Sequence, residues 1–256
     1  MGRVISLDVA LDRLLHKRSY RSAFLEGRFE DLDLCPEDRE ALEAIDRAEL
    51  VCAAEEIRRD LWRRKHRGSG GLASLYPRTI AAWQAAHPED GDLEELLSLF
   101  MESEAFDEHR EVPFAGAGLS LEEAFFRFCE AFCVGEALDR EDEFLSAIMK
   151  ALLLSPSPDF LIPAAVRRAP GGFFAVRAPL GAAGGAPSAP ILYAAVLGKL
   201  VTGPITPFLS ELLLGTEPPE GVAGKHGVPP EALRASLERL ETLGLLESRM
   251  AATPDP

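Results

Sequence analysis

The stretch that most constrains the fold of this chain is Leu209–Ser248, which contains three short helical patterns in succession. The first pattern ends at Gly215, and the second, Pro218–Lys225, is rich in residues that form helices poorly. The third is expected to begin at Pro230, because a first helical turn does not need the N–H that proline lacks, and to end at Gly244. Leucines recur at helical spacing in the first and third patterns, at Leu209, Leu212, Leu213, Leu233, Leu237 and Leu240. The stretch therefore predicts three helices joined by short turns.

The segment before these helices has the composition of β-structure. Phe160–Arg168 and Phe173–Pro179 flank a Gly-Gly pair, which predicts a hairpin. A loop rich in Gly, Ala and Pro follows, and Ile191–Val196 then predicts a third strand. Three strands followed by three helices is the order of small winged-helix modules, some of which bind peptides while others bind DNA.

The first part of the chain contains only helical patterns, which are predominantly acidic. Composition changes at Ser155–Asp159, where SPSPD separates these helices from the β-rich, basic segment. We therefore predict an α+β protein. An all-helical domain at residues 1–155 precedes a small winged-helix-like domain at 156–256, with three strands and then three helices.

Charge is distributed unevenly along the chain. The formal net charge is −15, so the chain as a whole is not attracted to nucleic acid. Yet the segment Phe160–Ser210 has no acidic residue and four basic ones, namely Arg167, Arg168, Arg177 and Lys199. This segment is a candidate binding face for an acidic partner.

The sequence presents no arrangement of residues that is typical of catalysis or metal binding. The four cysteines do not form a CxxC pair and are expected to be free thiols, and the five histidines share no ligand spacing. Cys129 and Cys133 lie among phenylalanines and are expected to be core residues. No apolar run approaches the roughly 20 residues that span a bilayer, and the first residues form an amphipathic pattern. We therefore expect a cytoplasmic, non-catalytic protein without a cofactor of its own.

The helical part of the chain also resembles a known family. The segments that carry the resemblance are Leu14–Gly27 (LLHKRSYRSAFLEG), Leu32–Asp46 (LDLCPEDREALEAID) and Leu75–Thr79 (LYPRT). They are similar to the helical domain of partner proteins of multinuclear non-heme iron oxidative enzymes, which modify ribosomally made peptides, as in methanobactin biosynthesis. The resemblance implies that the helical domain docks on a TIM-barrel iron enzyme and that the iron belongs to that enzyme. It implies docking contacts near Tyr20, Arg21, Arg78 and Thr79.

In that family a second domain captures the precursor peptide, and the strand-and-helix segment of this chain resembles a winged-helix peptide recognition element. We expect the leader of the peptide to add as an extra strand beside Ile191–Val196 and to pack against the helix that begins at Pro230. The residues expected to contact it are Arg167, Arg168, Arg177, Ile191, Tyr193, Leu233 and Leu237.

A DNA-binding regulator is the main alternative, because winged-helix modules also bind duplexes. The third helix argues against it, since its two arginines stand among Glu231, Glu238 and Glu241, whereas recognition helices are usually basic or polar. A free-standing enzyme is the weakest alternative, because no catalytic site emerges from the sequence.

Overall fold

The computed structural model describes residues 5–63, 71–88, 93–110, 120–154, 162–179, 189–215 and 217–247. Two compact units divide the chain, with the boundary between Phe144 and Leu145. The boundary therefore lies inside a helix, before the SPSPD segment that the sequence suggests. That segment itself lies outside the described residues.

The described residues of the first unit form helices and short turns, and no strand is found among them. The α-helices are α1 Leu7–His16, α2 Arg18–Leu25, α3 Pro36–Glu43, α4 Arg47–Arg63, α5 Leu72–Leu75, α6 Pro77–Ala86, α7 Leu93–Glu102, α8 Glu104–Arg110, α9 Leu121–Ala131 and α10 Ala137–Leu154. A 3₁₀ helix at Phe29–Leu32 lies between α2 and α3. Helix α10 begins in this unit and continues past its boundary.

Local chemistry explains where several of these helices begin. Pro36 and Pro77 open α3 and α6, as expected for a residue without an N–H in the first turn. The Ser120 hydroxyl accepts a hydrogen bond from the Glu123 N–H at 3.1 Å, and it thereby caps α9.

Aromatic side chains fill much of the first unit's core. Phe100 packs edge-on against Phe125, with ring centroids 5.1 Å apart, and its ring centroid lies 5.5 Å from that of Phe128.

The two cysteines predicted to be core residues differ in their burial. Cys129 is fully buried, as predicted, and burial raises the pKa of its thiol. Cys133 is exposed, contrary to the prediction, because α9 ends before it and its φ of 53° turns the chain away from the helix. All four cysteines are free thiols.

The second unit contains a four-stranded antiparallel sheet followed by three helices, which makes the protein α+β. The strands are β1 Arg167–Ala169, β2 Gly172–Arg177, β3 Ile191–Val196 and β4 Lys199–Pro204, and they lie in sequence order across the sheet. The helices are α11 Pro207–Leu214, α12 Pro219–Lys225 and α13 Pro230–Thr242. The prediction of three strands was wrong by one, since β4 was missed.

One face of the sheet and the three helices share a single apolar core. The sheet contributes Phe174, Leu192, Ala194 and Val196, all buried. The helices contribute Leu212, Leu213, Val222, Leu233 and Leu240, so most of the leucines predicted to face inward do so. Each of the larger side chains, the leucines, valines and phenylalanine, stabilises the fold by about 1.5–3 kcal/mol through burial.

Two adjacent glycines join the sheet to the end of the last helix. The Gly171 N–H donates a hydrogen bond to the Gly244 carbonyl at 2.8 Å, and the Gly171 carbonyl accepts one from the Leu197 N–H at 2.9 Å. Gly172 has a φ of 149°, and a Cβ on it would lie 2.1 Å from the Ala195 carbonyl oxygen. Neither the backbone angle nor the space at Gly172 therefore suits a residue with a side chain.

We expect Gly172→Ala to lower the free energy of unfolding of the second unit by about 2–4 kcal/mol, because it combines backbone strain with overpacking. Hydrogen exchange of the β3 amides, followed by mass spectrometry, measures this effect on the sheet. Gly203→Ala is the matched control, since a Cβ there meets nothing within 4 Å. The prediction would be contradicted if the β3 amides lost protection from hydrogen exchange to a similar extent in both variants.

Candidate functional site

The outer edge of β4 is a strand edge with no partner among the described residues. β4 follows β3 through a two-residue turn at Leu197 and Gly198, whose φ angles of 50° and 73° are typical of a type I′ hairpin. Val196 and Lys199 flank the turn and pair with each other. The sheet order places β4 last, after β3.

The register identifies which backbone groups of β4 face outward. In an antiparallel pair, residues alternate between those that exchange hydrogen bonds and those that do not. Counting from the turn, Lys199, Val201 and Gly203 bond to β3, and the Ile205 N–H continues the pattern by donating to the Pro190 carbonyl at 2.8 Å. The N–H and C=O groups of Leu200 and Thr202 therefore point away from β3.

The side chains along this edge leave it open. Leu200 is 46 % exposed and Leu197, in the turn, is 59 % exposed, while Thr202 is also exposed. Native proteins usually protect an edge strand with charges, bulges or a covering segment. Here the charge is at Lys199 and the proline at Pro204, the two ends of the strand. The middle of β4 thus offers both backbone hydrogen-bonding groups and apolar surface.

The opposite edge of the sheet is less suited to a ligand. β1 has only three residues. The Arg167 Nη1 donates a hydrogen bond to the Leu214 carbonyl at 2.6 Å, and the Arg168 guanidinium lies over the Phe173 ring, 5.4 Å from its centroid. Both arginines are exposed, as a role in attracting acidic residues requires, but Arg167 also has a structural contact with the end of α11.

The expected addition of a peptide beside β3 is wrong, because β3 is an interior strand. Ile191 and Tyr193 lie on β3, which pairs with β2 on one side and β4 on the other. Tyr193 is 2 % exposed and Arg177 is also buried, so neither can form a surface contact in this fold. The error follows from missing β4, which occupies the position assigned to the ligand.

The two leucines predicted to form an apolar wall belong to the core of the second unit. Leu233 is buried and Leu237 is partly buried against the same cluster of side chains. Their contribution is to hold α13 on the sheet.

The first pair of predicted docking residues is Tyr20 and Arg21, of which Arg21 lies in the interior of the first unit. Arg21 is only 9 % exposed, and its Nη1 donates hydrogen bonds to the Leu14 and Leu15 carbonyls at 2.8 and 3.2 Å, at the end of α1. Desolvation, followed by the nearby Arg58, lowers the pKa of Arg21. The Tyr20 hydroxyl donates to the Leu32 carbonyl at 2.8 Å, and its ring is partly exposed. The Tyr20–Arg21 pair therefore ties α2 to its neighbours.

The other pair, Arg78 and Thr79, forms a polar network with Glu143 of α10. The Glu143 carboxylate accepts hydrogen bonds from the Arg78 N–H at 2.6 Å, the Thr79 N–H at 3.1 Å and the Thr79 hydroxyl at 2.7 Å. We call this arrangement the α6 cap. Thr79 is fully buried and cannot contact a partner. Arg78 is half exposed and pairs with Asp139 at 2.6 Å, so part of its side chain stays accessible.

The described residues also bear on metal binding and on membrane insertion. Within those ranges, no three His, Cys, Asp or Glu side chains come together as a metal site would require. Nor does any helix there combine the length and apolar composition needed to cross a membrane. Comparison with family models, curated proteins and solved structures gives no significant match to the chain.

Proposed function

We propose that the chain is a non-catalytic partner subunit that binds the leader of a ribosomally made precursor peptide and presents it to an iron-dependent oxidative enzyme of TIM-barrel type. The observation that carries the proposal is the open edge of β4. An extended peptide laid along β4 would satisfy the outward N–H and C=O groups of Leu200 and Thr202, and alternate side chains of the peptide would supply selectivity. The iron would belong to the enzyme, and the complex would work in the cytoplasm.

In this proposal the sheet and the three helices that follow it act as the peptide recognition element, and β4 takes the role first assigned to β3. The four-stranded sheet differs from the three-stranded winged-helix module that the sequence predicts. The basic residues that remain accessible are Arg167, Arg168 and Lys199. Their charge would speed association with an acidic leader and make binding sensitive to salt. Leu197 and Leu200 would supply the apolar contacts that the buried Tyr193 cannot.

Peptide binding is favoured over DNA binding by the charge of α13. This helix contains Arg234 and Arg239 but three glutamates, and Glu231 and Glu238 are exposed. Such a helix would bring negative charge into a groove lined by phosphates, which opposes binding. A duplex also has no strand with which to satisfy the β4 edge.

Docking on the enzyme is assigned to the helical unit, on the strength of the resemblance. Of the four residues first proposed for this contact, the exposed parts of Tyr20 and Arg78 are the ones available at the surface. The proposal therefore keeps Tyr20 and Arg78 as contacts, and it assigns Arg21 and Thr79 to the support of the fold.

The proposal predicts that the full chain binds the leader encoded by a short open reading frame beside its gene, and that it binds a neighbouring iron enzyme at the same time. Fluorescence anisotropy of the labelled leader measures the first interaction, and size-exclusion chromatography after co-expression measures the second. A scrambled leader and duplex DNA of the upstream region are the controls. Sequence-dependent binding of the DNA, without binding of the leader, would assign the chain to the regulators instead.

A further inference from the structure

A second candidate site lies in the helical unit, in a cavity between α4 and the start of α7. Its volume is about 470 Å³, and its lining consists of Glu55, Arg58, Arg59, Trp62, Arg63 and Glu94. Sites for small organic ligands typically measure about 300–1,000 Å³, so this cavity is large enough for one. Five of the six residues come from consecutive turns of α4, which places them on one side of the cavity.

Arg58 forms a fixed part of this lining. Its side chain is buried, and its Nη2 donates hydrogen bonds to the Ser98 hydroxyl at 2.7 Å and to the Glu94 carbonyl at 3.0 Å. The same nitrogen lies 3.3 Å from a Glu94 carboxylate oxygen. Arg58 therefore holds α4 to α7, and its ion pair with Glu94 offsets its positive charge.

Arg59 and Arg63 supply the groups that a ligand can use. They are four residues apart on α4, and both are exposed. The lining as a whole has three arginines and two glutamates, which gives it an excess of positive charge in a chain whose net charge is −15. Guanidinium groups bind phosphate and carboxylate groups through paired hydrogen bonds.

The remaining lining residues narrow the class of ligand. The Glu55 carboxylate can accept a hydrogen bond, and Trp62 provides an apolar wall. An extended polyanion is disfavoured, because the chain outside the cavity is strongly acidic and would repel it.

We propose that this cavity binds a small organic anion, with its phosphate or carboxylate group on Arg59 and Arg63 and a hydrogen-bond donor towards Glu55. The site is built from the helical unit alone, and its existence does not depend on the proposed binding of a peptide at β4.

Isothermal titration calorimetry of the full chain with ATP, pyrophosphate and citrate tests the proposal and distinguishes phosphate from carboxylate ligands. We expect saturable binding of at least one of them at a single site, with a change in tryptophan fluorescence because Trp62 lines the cavity. The double variant Arg59→Gln, Arg63→Gln should bind at least about tenfold more weakly, as expected when charge-assisted hydrogen bonds are lost.

The matched control is Arg234→Gln, Arg239→Gln, which changes the net charge equally but alters exposed arginines of α13 in the other unit. This control should bind as the wild type does. The proposal is overturned if none of the three probes binds at millimolar concentration, or if both double variants weaken binding to the same extent.

Discussion

Under the proposed function, Thr202→Pro is expected to weaken binding of the leader by about 100-fold without unfolding the sheet. The register directs the Thr202 N–H away from β3, so proline removes a group that the fold does not use and the ligand would need. The pyrrolidine ring would also occupy the space of the incoming strand, which prevents neighbouring hydrogen bonds. The loss of two or three backbone hydrogen bonds, each contributing roughly 1 kcal/mol, corresponds to a change of this size. Fluorescence anisotropy titration of the labelled leader measures it.

A matched control variant separates a blocked edge from general damage. Thr202→Val keeps the N–H and the shape of the side chain while removing the hydroxyl. It is expected to bind the leader within about threefold of wild type, which is under 1 kcal/mol. Hydrogen exchange of the β3 amides shows whether the sheet stays folded in Thr202→Pro. Unchanged binding by Thr202→Pro, or an equal loss in Thr202→Val, would rule out β4 as the site.

Glu143→Ala is expected to destabilise the helical unit by about 3–5 kcal/mol. The Glu143 carboxylate is 5 % exposed and accepts the three hydrogen bonds of the α6 cap. Its removal leaves the buried Thr79 N–H and hydroxyl without an acceptor and deprives Arg78 of a charge partner. Urea unfolding followed by tryptophan fluorescence measures the effect on this unit specifically, because both tryptophans, Trp62 and Trp83, lie within it.

Asp139→Ala is the matched control for this variant. It removes one negative charge from the same helix and breaks the ion pair between Arg78 and Asp139, both of which are substantially exposed. Exposed pairs of this kind contribute less than about 1 kcal/mol, so only a small change in the urea midpoint is expected. Equal destabilisation by the two substitutions would mean that charge alone, and not the α6 cap, accounts for the effect.

Much of the helical architecture could be predicted because its signals are local. Pro36, Pro77 and Pro230 each open a helix in the structure, as their missing N–H groups predict. The strand β2 was recognisable from an apolar run beside a Gly-Gly pair, and β3 from the apolar run that follows the Gly/Ala/Pro-rich loop. In contrast, β4 ends in Gly203 and Pro204, and apolar and polar residues alternate only weakly along it. The sequence therefore did not distinguish this strand from the loop before α11. Leu197-Gly198, between two β-like runs, was the signal that could have identified the hairpin.

The candidate site residues were harder to predict because their roles depend on partners distant in sequence. Thr79 was expected at the surface, but its acceptor is Glu143, which is 64 residues away along the chain. Arg21 was expected to be a docking contact because it lies in a segment that carries the family resemblance, yet two backbone carbonyls at the end of α1 hold it inside. The outward groups of Leu200 and Thr202 became visible only when the strand order and register were known.

The position of Gly171 has a consequence for the order in which this unit can assemble. Its hydrogen bond to Leu197 joins two hairpin turns that are close in sequence, whereas its hydrogen bond to Gly244 waits for the last helix. Closing the longer loop costs more entropy, so the hairpins can form early and their attachment to α13 comes late. During synthesis, the turn that contains Gly171 therefore gains its contact with the end of α13 only after Gly244 has been made. The sheet is formed by local pairing first and is fastened to its covering helices by a segment made more than one helix later.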